Sequence, residues 1–534
     1  MIDSHICRKA STITIMSMQG NTQSQMRVAF HTLGCKVNHY ETEAMREAFV
    51  SRGAVCAGDE DPADVYIINT CTVTNIADRK SRQYIRRVKR ANPDALIVVT
   101  GCYAQVEPEE VAAMPEVDIV VGNGQKSRIC ELVMDALEDR CGTGEADASD
   151  TQDACPDSSS DAAVTRENDN GTQILVLRRE ELTEYEDMGL VTSSEPGMTR
   201  AYIKIQEGCD RFCAYCLIPY ARGPVRSRPP EEIVQEAVML LDSGVREIVL
   251  TGINTALYGT EPGFSYDLTD SSGSILPGLE EIASLPESER SGISPLEILL
   301  ARLDAVNAPG QQSCAGVPGF RIRLSSLEPT VVDKDHVEKI IRYRRLCHHL
   351  HLSVQAGSDH ILRSMNRHYT RDEYLDIVRA IREYDPLYGI TTDIIVGFSG
   401  ETEEDFADTL DIVRQSGFGK VHVFRYSPRR GTAGAALPDA VPGEIKNERA
   451  TVLEEVSAET AAEFMRSSLY GTSGVVHTVL AEEVQDGYMT GYTGSYIKVY
   501  IEDAGSSIEP GQFYNVQLTG LFRDGCLGEV CHST

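Results

Sequence analysis

Residues 207–223 read EGCDRFCAYCLIPYARG and place Cys209, Cys213 and Cys216 in one short loop. The loop follows YIKIQ (202–206), the first of six short apolar runs rich in β-branched residues. The others are REIVLTG (246–252), RIRLSSL (321–327), HLHLSVQAG (349–357), ITTDIIVGF (390–398) and KVHVFRYSP (420–428). Helical patterns such as PPEEIVQEAVMLLDSG (229–244) and TEEDFADTLDIVRQSG (402–417) fall between them. Buried parallel strands have this composition, and six strand–helix units predict a partial (βα)6 barrel over 199–430. Its site is then expected at the C-terminal ends of the strands, where the cysteine loop lies. A Gly-, Ser- and Pro-rich stretch, about 264–294, reads as an insertion within one crossover.

Working outward, 534 residues are too many for a single core. RVAFHTLGC (27–35), DVYIINTC (64–71) and ALIVVTGC (95–102) predict a separate open parallel α/β sheet over 26–137, with helices starting near Glu41 and Asn75. Residues 1–25 read as a disordered tail. Residues 138–198 read as a disordered acidic linker, because the Ser/Asp/Gly-rich part to 171 cannot bury enough apolar surface to order itself. A connecting segment, 431–468, with a helix at about 443–470, leads to 469–534, where alternating apolar residues broken by Gly and Asp turns predict a small antiparallel barrel of the oligonucleotide-binding type. The fold class is therefore α/β multidomain with a β-barrel at its end.

Composition narrows the function. The formal charge of −31, from 50 Lys and Arg against 81 Asp and Glu, taken alone opposes a nucleic-acid partner. Much of the acid sits in 138–171, so net charge describes the folded parts poorly. No stretch approaches a membrane span, and the first residues lack the apolar core of a secretory signal, so a cytoplasmic protein is expected. Fifteen cysteines in a reducing compartment point to metal ligation before disulfides.

Soft thiolates select iron–sulfur clusters or zinc. Three thiols spaced CxxxCxxC can hold three irons of a four-iron cube and leave one iron open to an amino-acid-like cofactor, S-adenosylmethionine. The alternative is a zinc site closed by a distant Cys or His. Cys35, Cys71 and Cys102 each close a predicted strand, and the C-terminal ends of parallel strands share one sheet edge. They are expected to converge as a second ligand set, with Gly34 and Gly101 giving the backbone room. The alternative is three buried core cysteines. Residues 78–90, DRKSRQYIRRVKR, place Arg79, Arg82, Arg86 and Arg90 near one helix face beside Cys71. That face is either solvated or a phosphate-tracking surface. In the terminal barrel, Tyr488, Tyr492, Tyr496 and Phe513 are candidates for stacking on bases, although at strand spacing some of them must be core.

From about residue 26 onward, these motifs resemble the radical S-adenosylmethionine methylthiotransferases. EGCDRFCAYCLIPYARGPVRSR is similar to the family's cluster loop, Cys35, Cys71 and Cys102 to its auxiliary-cluster cysteines, and the last residues to its RNA-binding TRAM domain. TLGCKVNHYETEAM, RLSSLEP, SVQAGSD, MNRHYT and YSPRRGT look most like the branch acting on N6-threonylcarbamoyladenosine in tRNA. One departure is Ser399 in GFSGET, where the family carries Pro; altered loop stiffness without lost chemistry is expected.

The resemblance implies two 4Fe-4S clusters and S-adenosylmethionine as cofactors. It implies tRNA as partner, a low-potential electron donor of flavodoxin or ferredoxin type, and no membrane association. It implies methylthiolation of carbon 2 of the modified adenosine next to the anticodon. Isopentenyladenosine in tRNA, or a ribosomal-protein aspartate, is the rival acceptor. A non-catalytic RNA-binding iron–sulfur protein is the rival of another class. For S-adenosylmethionine the strand ends offer Gly252, Asn254, Gln355, Ser358, Gly397, Gly400 and Glu401, where glycines admit the backbone and polar side chains supply hydrogen bonds.

Overall fold

A computed structural model describes residues 15–16, 23–58, 61–72, 75–141, 166–192, 198–290, 292–307, 319–502 and 508–531. The chain forms two compact units, Met1–Gly189 with Tyr220–Gly223, and Leu190–Pro219 with Pro224–Thr534.

The first unit is built on a seven-stranded sheet. Its strands are β1 (Arg27–Thr32), β2 (Val55–Ala57), β3 (Val65–Thr70), β4 (Leu96–Gly101), β5 (Ile119–Val121), β6 (Arg166–Glu167) and β7 (Gln173–Leu175). Their order across the sheet is β2-β1-β3-β4-β5-β7-β6, parallel except for β6. Period-two alternation divides the side chains between two cores. Val28, Phe30, Val65, Ile67 and Val98 pack on one face with Phe49 and Val133. Ala29, Tyr66, Ile68, Ile97 and Val99 pack on the other with Ile85 and Val111. Helix α1 (Lys36–Val50) thus covers one face and helix α2 (Asn75–Ala91) the other. From β1 the chain steps outward to β2, and from β3 it steps the opposite way to β4. The β1/β3 junction is therefore a topological switch point, where open α/β sheets leave a crevice beyond the strands' C-terminal ends.

Three expectations need correction in this unit. Helix α1 begins at Lys36, directly after Cys35, and not near Glu41. The disordered linker expected over 138–198 is ordered in part. The helix Ile129–Cys141 runs into it, and β7 pairs in parallel with β5. The reason is local: TQILVL (172–177) supplies Ile174 and Leu175, both essentially unexposed, to the two cores. Acidic composition averaged over the whole stretch hides that apolar run. Residues 142–165 and 193–197 of the expected linker lie outside the described residues. In the expected tail, Ile15–Met16 pairs with Gln23–Ser24, and 1–14 and 17–22 lie outside the described residues.

In the second unit, all six strand–helix repeats are present. Arg200–Lys204, Glu247–Thr251 and Arg321–Leu324 form one parallel sheet, and Ser326–Leu327, His349–Leu352, Gly389–Val396 and Lys420–Arg425 another. The run predicted at 321–327 is broken at Ser325 and contributes to both sheets. The crossover holding the expected insertion carries short helices and a small apolar cluster around Leu279 and Ile298. The helix Gly443–Ser468 leads to a closed five-stranded barrel, His477–Gln485, Tyr488–Thr493, Lys498–Glu502, Phe513–Phe522 and Gly525–Val530.

That barrel is docked at the N-terminal ends of the parallel strands. Arg321 donates to the Tyr492 carbonyl (3.1 Å), and Arg323 to the Gly494 carbonyl (3.3 Å). Both arginines, with Arg200, surround the buried Glu247 (2.5 to 3.6 Å). Burial raises the Glu247 pKa, but the arginines outweigh it and hold the carboxyl well below its ordinary range. The guanidiniums of Arg200, Arg321 and Arg323 lie over Tyr492, Phe513 and Tyr496. Three of the four rings expected to stack on bases are instead docking contacts. Only Tyr488 remains apart from that joint, packed with Tyr500, Phe522 and Arg523.

Candidate active site: two sets of three cysteines

Cys71 and Cys102 follow β3 and β4 directly and Cys35 stands three residues beyond β1, on the edge that holds the switch point. Cys35 opens helix α1 and is exposed, whereas Cys71 and Cys102 are buried. A Cβ at Gly34 would stand 2.9 Å from Cys71 Cβ, and one at Gly101 would stand 2.3 Å from the Thr70 carbonyl. Both glycines hold positive φ, so their backbones reach places closed to other residues.

Asn38, one turn into α1, ties the first two loops together by donating to the carbonyls of Leu33 (2.8 Å) and Thr70 (3.0 Å). Its Oδ1 accepts from the Cys35 thiol (3.8 Å) and from Arg222 (2.8 Å). Arg222 reaches Glu41 at 2.6 and 3.0 Å, and Lys126 pairs with the same carboxylate. All three side chains are buried, which unpaired charges would not tolerate. Arg222 and Lys126 both act electrostatically on the Cys102 thiol, and Asn123 Nδ2 donates to its sulfur (3.9 Å). Burial pushes the Cys35 thiol up and the Arg222 guanidinium opposes that rise; the thiolate is the form that ligates metal.

The second set is local. Cys209, Cys213 and Cys216 interact electrostatically with one another, and burial pushes the Cys209 thiol up to about 12. Residues 365–367 pin their loop: Ala214 N–H donates to the Met365 carbonyl (2.9 Å), and Asn366 donates to the carbonyls of Arg211 and Phe212 (3.2 and 3.1 Å). Arg367 donates to Cys213 Sγ (3.3 Å) and to Glu328 (3.0 Å). Here too a buried arginine, paired with a glutamate, faces a thiol. Each set has the donor chemistry and the surroundings that a thiolate-held iron–sulfur cluster requires.

Of the seven residues expected to hold S-adenosylmethionine, Asn254 joins this network by donating to Glu328 (2.8 Å). Gly252 packs on Gln206, whose side chain accepts from the N–H groups of Ile253 and Asn254 (3.1 Å each). Gln355 adopts φ 68°, a left-handed conformation held by backbone hydrogen bonds to the strand Gly389–Val396. Two others have structural partners. Ser358 caps the helix Asp359–Ser364 and donates to Asp405 (2.5 Å). Glu401 accepts from Gly397 N–H (2.7 Å) and pairs with Arg449 (2.6 Å). Gly400 has open space where a Cβ would stand, and Ser399 is buried beside it.

On helix α2, Arg79, Arg86 and Arg90 are exposed. Arg82 is not equivalent to them, because it donates to Tyr103 (2.7 Å) and Glu110 (2.9 Å). Sequence reading missed Asn38, Glu41, Lys126, Asn123 and Arg222 at the first site, and Glu328 and Arg367 at the second. Asn38, Glu41, Arg222, Glu328 and Arg367 lie within TLGCKVNHYETEAM, EGCDRFCAYCLIPYARGPVRSR, RLSSLEP and MNRHYT, the signal that could have found them.

Residues 27–122 match the uncharacterized protein family UPF0004, and residues 203–413 the radical SAM superfamily. The threonylcarbamoyladenosine tRNA methylthiotransferase MtaB of Bacillus subtilis is 37% identical, the match covering 88% of this chain and 89% of that protein. That of Thermotoga maritima is 33% identical, covering 94% and 96%. The tRNA-2-methylthio-N(6)-dimethylallyladenosine synthase of Ehrlichia canis is 31% identical, covering 93% and 98%. Among solved structures, the radical S-adenosylmethionine methyltransferase TsrM of Kitasatospora setae overlaps 75% of this chain and 73% of its own, at 14% identity and a TM-score of 0.48. Similarity at this level, over nearly the whole of both chains, means that this chain belongs to the tRNA methylthiotransferase family of radical SAM proteins.

Proposed function

We propose that the protein is a tRNA methylthiotransferase that modifies carbon 2 of N6-threonylcarbamoyladenosine. The observation that carries this reading is the pair of three-thiol sites, each beside a buried arginine–glutamate pair. Cys209, Cys213 and Cys216 would hold one 4Fe-4S cluster, and Cys35, Cys71 and Cys102 the other. When bound, the first cluster supplies one-electron reductive cleavage of S-adenosylmethionine, drawing on a low-potential donor of the flavodoxin or ferredoxin type.

The chain's own residues bind and orient. Arg367 fixes the Cys213 sulfur and, through Glu328, the Asn254 side chain, so the cluster loop and the cofactor loop share one anchor. Gln206 braces the same loop beneath Gly252. Asn38 and Arg222 hold the Cys35 loop against the Cys71 loop. The six strand–helix repeats support a partial (βα)6 barrel, and the closed terminal barrel supports a TRAM-like RNA-binding module. Arg79, Arg86 and Arg90 offer a phosphate-tracking face. No helix among the described residues is long and apolar enough to cross a membrane, which suits action on tRNA in the cytoplasm.

The test is nucleoside analysis of tRNA from cells with and without the protein. The methylthio form of threonylcarbamoyladenosine should vanish on deletion and return with the intact gene. Its persistence, with loss of the methylthio isopentenyl nucleoside, would reassign the acceptor.

A further inference from the structure

A third constellation lies in neither cysteine site. His351, Asp393 and His422 stand on three successive strands, His349–Leu352, Gly389–Val396 and Lys420–Arg425. In the strand register Asp393 lies opposite His422, and His351 lies opposite Thr391, two residues before Asp393. Alternation places His351 on the face opposite Leu350 and Leu352, and Asp393 on the face opposite Ile394 and Val396, all four fully buried. One ligand atom from each of the three lies within 4.8 Å of the other two. His351 Nε2 is 3.1 Å from Asp393 Oδ2. Two donors bound side by side to one ion, each at about 2.1 Å, stand about 3 Å apart.

The surroundings are those of a ligand set. Thr391 Oγ1 lies 2.9 Å from His351 Nδ1, which leaves Nε2 for a ligand role and fixes the ring. Ser353 Oγ donates to Asp393 Oδ2 (3.1 Å), orienting the carboxylate. Rigid strands, not loops, carry all three groups. Ser353 also connects this place to the cysteine loop, because its carbonyl accepts from Arg367 (2.9 Å), which donates to Cys213.

We propose that His351, Asp393 and His422 form a mononuclear site for a borderline divalent cation, with the remaining coordination positions open. Two imidazoles and one carboxylate suit zinc, ferrous iron or manganese, and the absence of sulfur separates this set from both thiol sites. The proposal is independent of the methylthiotransferase reading.

The test uses the full chain with its iron–sulfur centres loaded, incubated anaerobically with one equivalent of Zn2+ and desalted. Zinc content and zinc-edge X-ray absorption are then measured. About one zinc per chain should be retained, with only nitrogen and oxygen neighbours at about 2.0–2.1 Å. Retention should fall at least tenfold in His422→Ala and be lost in Asp393→Asn, while Cys213→Ala keeps it. Far-UV circular dichroism confirms that each variant is folded. Sulfur neighbours at about 2.3 Å would place the zinc on cysteine and overturn the proposal. So would failure to retain zinc, which would leave a simple histidine–aspartate hydrogen bond, or unchanged retention in His422→Ala.

Discussion

The two cysteine sites reach similar surroundings by opposite routes. Cys209, Cys213 and Cys216 come from one loop, so their proximity is encoded in a few consecutive residues. Cys35, Cys71 and Cys102 come from three loops, and only the strand order of the sheet brings them to one edge. Each set nevertheless ends beside a buried arginine held by a buried glutamate, Arg367 with Glu328 and Arg222 with Glu41. The local site therefore depends on its loop being pinned, and the assembled site on the whole sheet being folded.

Replacing one cysteine in each set tests that contrast most severely. Cys213→Ala should abolish formation of 5′-deoxyadenosine from S-adenosylmethionine by reduced protein. Cys71→Ala should keep that reaction and lose the methylthio nucleoside. Iron analysis should show about four irons missing in each variant. If Cys71→Ala also stops cleavage, the sites do not divide the chemistry.

Next in size is the loss of a buried partner. Glu41→Leu leaves Arg222 and Lys126 with a buried charge problem that typically costs about 3–5 kcal/mol. Denaturant unfolding should register this loss in the first unit. Glu328→Leu should produce a comparable loss in the second, and an equal response of both units to either change would erase the distinction.

A subtler variant, Arg367→Lys, keeps the charge and loses the planar fork. It should shift the midpoint potential of the Cys213 centre by on the order of 50 mV, equivalent to about 1.2 kcal/mol for one electron. Arg222→Lys should shift only the other centre. Potentiometric titration followed by electron paramagnetic resonance separates the two.

The smallest effect expected is on the RNA side. Arg79→Glu, Arg86→Glu and Arg90→Glu together should lower the salt-dependence slope of tRNA binding by about two to three. Iron content should stay constant. Arg82→Glu should behave differently and disturb folding, because Arg82 is already committed to Tyr103 and Glu110.

Much of this was legible in the linear chain. The six predicted runs of the second unit carry its seven parallel strands, one run being split in two, and both cysteine sets lie in loops after strands. The pairing of the guarding charges was not legible, although all four lie within the quoted motifs. Glu41 and Arg222 are 181 residues apart, and Glu328 and Arg367 are 39 apart. In sequence each reads as one more solvated charge. Strand β7 was hidden because a three-residue strand sits inside an acidic stretch, and its partners, the edge of β5 and the two-residue β6, are remote or too short to read in sequence. Strand spacing implied that some rings of the terminal barrel were buried but not which, because nothing local reveals that arginines near residues 200 and 320 cover three of them.

The joint around Glu247 bears on how such a protein can be taken apart. Removing residues 469–534 would strip carbonyl acceptors from Arg321 and Arg323 and expose the three-arginine cage to water. The terminal module is thus a cornerstone of its neighbour's foundation, not an accessory hung on a tether. Its position against the parallel strands is fixed by those contacts, without the slack that a flexible hinge would introduce.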